Sequence, residues 1–176
     1  MSKSCYLDEQ NGTVEAVLIF WRDPLLYDIK NYAYIEGHVM ETENPHQRHT
    51  VQDVGEEGNV DRVTRVLDLN VAKCREMLYP FIKRNIYRHE LDDTLNETPV
   101  YGMVLKVPQD FSQTTLNLLE RLIHEYLVCK SVADWMSITN PAKVETWAIK
   151  AQEAESEIRT SLLARLRRVR RRMHPF

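Results

Sequence analysis

Residues 114–136 read TTLNLLERLIHEYLVCKSVADWM. Leu116, Leu119, Leu122, Ile123, Tyr126, Leu127, Val132, Ala133, Trp135 and Met136 recur at helical spacing, yet they cover more than one stripe of the helix. A helix apolar over that much of its circumference is wrapped by other elements and forms the centre of a core. Ser112 is placed to cap it, and Ile138-Thr139-Asn140-Pro141 ends it, which predicts a helix over 113–138.

After it, Pro141 starts a further helix, expected over 141–172. Its stripe is narrow: Val144, Trp147, Ala151, Ala154, Ile158, Leu162, Leu166, Val169 and Met173. Such a stripe marks a surface helix or a helix–helix seam. At 1.5 Å per residue the helix would be roughly 48 Å long. A compact domain of this size spans roughly 30 Å, so the end of the helix is expected to project or to lie along a neighbour.

Before the central helix, Val100–Val107 of PVYGMVLKVP is bounded by prolines and reads as a strand. Val60, Val63, Leu67, Val71, Cys74, Leu78 and Phe81 repeat every three or four residues, which predicts an amphipathic helix over 59–79 with Asn59 as its cap and Pro80 as its stop. Val14–Trp21 reads as a strand. A helix over 24–36 follows, with Asp23 as cap, Pro24 in the first turn, and Leu25, Ile29, Tyr32 and Ala33 on one face. Gly37 can supply the left-handed residue that ends it. Residues 41–58 are polar and without sustained period, and read as a long loop.

The expected organisation is a single domain over 1–176: a flexible N-terminus at 1–13, a strand plus helix at 14–40, the polar loop at 41–58, a helical core at 59–160 and a basic arm at 161–176. The fold class is mainly α, a bundle of three to four helices with two or three short strands and a long projecting C-terminal helix. With 43% apolar and 28% charged residues the composition is that of a folded protein outside the membrane. The longest unbroken apolar run, Ala16 to Trp21, is far short of the roughly 20 residues that span a bilayer. The first twelve residues have no apolar segment after a basic start, so no signal peptide is expected. Cys5, Cys74 and Cys129 are odd in number and widely spaced, which fits a reducing interior better than a disulfide framework.

Few residues suggest catalysis. His46 and His49 have HxxH spacing near Glu41, Glu43 and Asp53, but they follow a proline in a polar stretch and lack the glutamate of HExxH, so a solvated loop is the stronger reading. His89, Glu90, Asp92 and Asp93 read as a charged turn, and His124 as a satisfied core or interface histidine. There is no GxSxG, P-loop or GxGxxG. No enzymatic activity, cofactor or metal is expected.

Charge is the strongest signal. The formal net charge is −3, but residues 1–58 hold eleven acidic against four basic residues, whereas residues 159–176 hold seven arginines and no acid. Such asymmetry points to partner surfaces. Arg165, Arg167, Arg168, Arg170, Arg171 and Arg172 surround Leu166 and Val169 on all but one side of a helix. One or two arginines would suit a helix C-terminus; six exceed that. The run can contact nucleic-acid phosphates without sequence preference. It can also pair two-pronged with carboxylates on a protein partner, with Leu162, Leu166, Val169, Met173 and Phe176 as apolar anchors. The apolar anchors favour the protein partner.

From residue 59 onward the order of parts resembles the small helical head–tail connector (head-completion or adaptor) proteins of tailed bacteriophages. The likeness lies in CREMLYPFIKR, a helix end with an aromatic near basic residues, then the strand-like PVYGMVLKVP, the long apolar helix at 114–136 and the closing helix from VETWAIKAQEAESEI. It covers about residues 59–160 and is one of layout, without a diagnostic motif. The resemblance implies a virion protein assembled in a bacterial host cytoplasm, with no catalytic site. It implies a homo-oligomeric ring, often of twelve subunits, between portal and tail-side proteins, with DNA passing through its channel. By the same likeness the C-terminal segment reaches a portal or a ring neighbour. If the arm instead serves general nucleic-acid binding, a cytoplasmic location follows.

Overall fold

The computed structural model describes residues 5–6, 13–42, 44–79, 99–108 and 111–163. In order these form strand β1 (Cys5–Tyr6), strand β2 (Thr13–Trp21), helix α1 (Arg22–Val39), helix α2 (Pro45–Gln52), a 3-10 turn (Asp53–Gly55), helix α3 (Glu57–Met77), strand β3 (Val100–Pro108), helix α4 (Gln113–Thr139), a 3-10 turn (Pro141–Lys143) and helix α5 (Val144–Leu163). The fold is mainly α, a helical bundle with a small antiparallel sheet of order β1-β2-β3.

α4 is the centre, as its sequence predicts. Leu119, Ile123, Leu127, Val128, Cys129, Val132 and Met136 are fully buried, which takes in several sides of the helix. α1, α2, α3 and α5 all pack on it. Ser112 occupies the N-cap position, but its side chain makes no cap bond; its carbonyl accepts from Thr115 and Leu116 N–H instead. Between α3 and α4, Asn70 donates to Ser131 Oγ at 3.3 Å and Ser131 donates to the Leu127 carbonyl, so this buried polar pair is satisfied.

In the sheet, Leu18 faces Met103, Ala16 faces Leu105 and Phe20 faces Tyr101. These residues line the face turned to the helices and all are buried. The alternation along β2 places Glu15, Val17, Ile19 and Trp21 on the other face, where Glu15 and Lys106 pair at 3.1 Å. Arg75 of α3 donates to the Gly102 carbonyl of β3. The Tyr101 hydroxyl donates to Asp68, a second tie from α3.

Several boundaries differ from expectation, each for a local reason. β2 runs into α1 with no loop. Arg22 N–H donates to the Pro99 carbonyl, so the helix starts two residues before Pro24 and Asp23 lies in its first turn. Gly37 does not terminate α1. It sits within the helix, where α2 crosses so closely that a Cβ would lie 2.6 Å from Gln52 Cγ. Residues 41–58 are not one long loop: Asn44 accepts from His46 N–H, Pro45 occupies the first turn, and α2 follows with Val51 buried. α3 begins at Glu57, and Asn59 is not its cap; the Asn59 amide donates to the Asp53 carbonyl at 2.8 Å. The segment expected to be a flexible N-terminus contributes β1, whose Cys5 and Tyr6 pair with Ala16 and Glu15. α5 begins at Val144 after a 3-10 turn and is described to Leu163; the expected continuation to residue 172 lies outside the described residues.

Candidate interaction site

α5 carries the chain toward the arginine run. Trp147, Ala151, Ala154, Ile158 and Leu162 are its buried residues. Their spacing of three and four puts them on one side, and the two alanines let the backbone approach α4 closely. Leu162 is only 3% exposed, so the packed stripe runs to within three residues of Arg165. The opposite side is exposed: Glu145, Ile149, Gln152, Glu153, Ser156, Glu157 and Thr160. Glu155 and Arg159 pair within the helix at 2.9 Å. Among the described residues, Glu145, Glu153 and Glu157 have no ion-pair partner.

Of the residues singled out in the sequence as partner anchors, Leu162 is buried in the core of the chain itself and is not exposed to a partner. Arg165, Leu166, Arg167, Arg168, Val169, Arg170, Arg171, Arg172, Met173 and Phe176 lie outside the described residues, as do His89, Glu90, Asp92 and Asp93. His46 and His49 stand exposed on α2. No group of three or more histidine, cysteine or acidic side chains able to hold a metal occurs among the described residues, and no helix there is long and apolar enough to cross a membrane.

The most organised polar contacts lie where α1, α4 and α5 meet. Tyr32 donates to Glu125 Oε1 at 3.2 Å, and Cys129 Sγ donates to the same oxygen at 3.4 Å. Trp147 Nε1 donates to Glu36 Oε1 at 3.2 Å, while Lys143 reaches Glu36 Oε2 at 3.4 Å. The rings of Tyr32 and Trp147 are 4.9 Å apart, and Lys150 lies 4.0 Å over the Trp147 ring. On the outer side, His124 Nε2 meets Asp28 Oδ2 at 2.7 Å. Burial and then the Glu125 carboxylate push Tyr32 and Cys129 up to about 12. Burial does the same to Cys74. A thiol held neutral is a poor nucleophile, so these contacts fasten three helices together rather than poise a reactive group. The histidine reading fits: His124 is an interface histidine satisfied by Asp28. Glu36 and Trp147 are 111 residues apart, and no local pattern announces their meeting.

α1 also presents Tyr27, Tyr34, Ile35 and Val39 to the outside, with Tyr34 stacked on His38. Compared with known proteins, the chain matches no family model, no curated protein and no solved structure.

Proposed function

We propose that this chain is a non-enzymatic assembly subunit, a head–tail connector (adaptor) of a phage or prophage particle. In this reading it forms a ring and docks on the portal through its C-terminal arm. The observation that carries the reading is the burial of Leu162. The stripe of α5 is a packed seam up to the start of the arm, and the sequence continues it at the same spacing as Leu166, Val169 and Met173. An apolar stripe flanked by arginines suits a protein groove rimmed by carboxylates, where Leu166, Val169 and Met173 anchor and the guanidinium groups pair two-pronged.

The test is a chain ending at Leu163, cut there because Leu162 belongs to the core. It is expected to keep the helical signal of the full chain and to lose joining of head to tail in a complementation assay. Normal joining by the truncated chain would remove the docking role. The second reading, sequence-independent nucleic-acid binding, is favoured by the arginine count alone. It predicts that affinity for a generic duplex falls about a thousandfold between 50 and 200 mM salt if roughly six phosphates are contacted. Absence of binding at low salt removes it.

A further inference from the structure

We infer that the outer side of α1 packs, antiparallel, on the outer side of α3 of a second copy of this chain. The inference rests on the ring reading above and names the two faces that meet in it.

α1 is apolar on both sides. Leu25, Ile29 and Ala33 are buried in the core, while Tyr27 (69% exposed), Tyr34 (58%), Ile35 and Val39 face outward. From Tyr27 to Val39 the outer side holds Asn31 and His38 but no lysine, arginine or glutamate, and Asp28 stands at its edge. A helix apolar all round is one that neighbours cover, yet this side of α1 is open.

Among the described residues, three other long helices could supply the cover. α4 is wrapped by its own chain. α5 presents Glu145, Glu153 and Glu157, and carboxylates are repelled by the negative faces of tyrosine rings. α3 presents Leu69 (54% exposed) and Ala72 between Arg65, Lys73 and Glu76. Arg65 and Lys73 make no ion pair among the described residues.

α3 also fits in direction and spacing. α1 runs with α4, since Asp28 meets His124 and Tyr32 meets Glu125. α3 runs against α4: Arg62 meets Asp134 and Asn70 meets Ser131. α1 and α3 are therefore antiparallel within one chain, and rotation about an axis along the bundle keeps them so between copies. Tyr27, Asn31, Tyr34 and His38 are spaced four, three and four, and so are Arg65, Leu69, Ala72 and Glu76. Read in opposite directions, the two rows set Tyr34 on Leu69, Asn31 on the small Ala72 and the Tyr27 hydroxyl by the Glu76 carboxylate. The Arg65 guanidinium then lies by the stacked rings of Tyr34 and His38. On the flank Asp28 meets Lys73, and Ile35 meets Val66. Two different faces meet, so the contact is head-to-tail and suits a closed ring. A seam this short, about 18 Å, falls below the roughly 800 Å² per partner of a standard interface. It orients the neighbours while the arm holds them.

The test is disulfide trapping in the full chain. Both chosen positions are exposed, so neither change empties the core. Tyr34→Cys with Leu69→Cys in one chain is expected to give a ladder of covalent multimers on oxidation, read on a non-reducing gel. Either change alone is expected to give no more than the unaltered chain. A mixture of the two single variants is expected to give a covalent dimer and nothing larger. Absence of the ladder overturns the inference, and so does a dimer from Tyr34→Cys alone, which would set α1 against α1. A ring-sized mass in sedimentation without the ladder keeps the ring and refutes these faces. A ladder, with the unaltered chain failing to join head to tail, keeps the faces and refutes the connector reading.

Discussion

At the scale of single residues, two glycines show how position decides the sign of a substitution. A Cβ at Gly37 would lie 2.6 Å from Gln52 Cγ and 3.0 Å from the Arg48 carbonyl oxygen. Gly37→Ala is therefore expected to push α2 off α1 and to cost about 1–3 kcal/mol in a urea titration. A Cβ at Gly58 meets nothing within 4 Å. Gly58→Ala is expected to stabilise by about 0.5 kcal/mol through the unfolded chain. From sequence alone Gly37 looks like a helix terminator, because a packing glycine and a capping glycine share the same letter. Titration gives another residue-scale expectation. Cys74 and Cys129 move from 9.0 to about 12, so folding favours the neutral thiol. The stability this provides is whole below the unfolded value and is lost as pH rises from there through the folded value. Tyr32 and Tyr126, also held at about 12, act in the same direction. The urea midpoint should fall as pH rises from about 9 toward about 12, and the two buried thiols should resist alkylation in the native state.

At the scale of elements, what the sequence reveals depends on how long its pattern runs. α4 spans Gln113–Thr139 against an expected 113–138, because an apolar period of seven turns is hard to misread. α2 is two turns long with one buried residue, Val51, too little to register as a period. Its stability comes from outside: Trp135 Nε1 donates to the Val51 carbonyl at 2.9 Å, and Gln52 donates to the Tyr34 carbonyl. Trp135→Phe keeps most of the apolar body but leaves that carbonyl unpaired. It is expected to cost about 1–3 kcal/mol, read in urea titration, with faster amide exchange confined to α2. α5 illustrates the intermediate case. Its stripe is legible, but that the stripe is packed as far as Leu162 is known only from the fold. Leu162→Ala is expected to cost about 2–5 kcal/mol, measured by thermal or urea unfolding.

At the scale of the whole molecule, β2 and β3 come from opposite halves of the chain and pair along nine residues each. Each strand is legible alone, β2 from its short run of β-forming residues and β3 from the prolines that bound it. Their pairing is not, because a pairing across so long a connection leaves no local trace. The same holds for the junction of Tyr32, Glu125, Glu36 and Trp147, which joins residues from α1, α4 and α5. The arginine run, by contrast, declares itself in composition, and its chemistry needs no fold to be named. What the fold adds is its setting: a helix whose inner side is sealed to the last described turn and whose outer side is acidic. In the proposed reading, charge of one sign on the body and of the other on the arm brings copies of this chain together. The most direct test of that account is the solution mass of the full chain beside that of a chain ending at Leu163, at equal concentration and low salt. The account predicts an assembly of several copies for the full chain and a folded single copy for the truncated one. Equal masses for the two would contradict it.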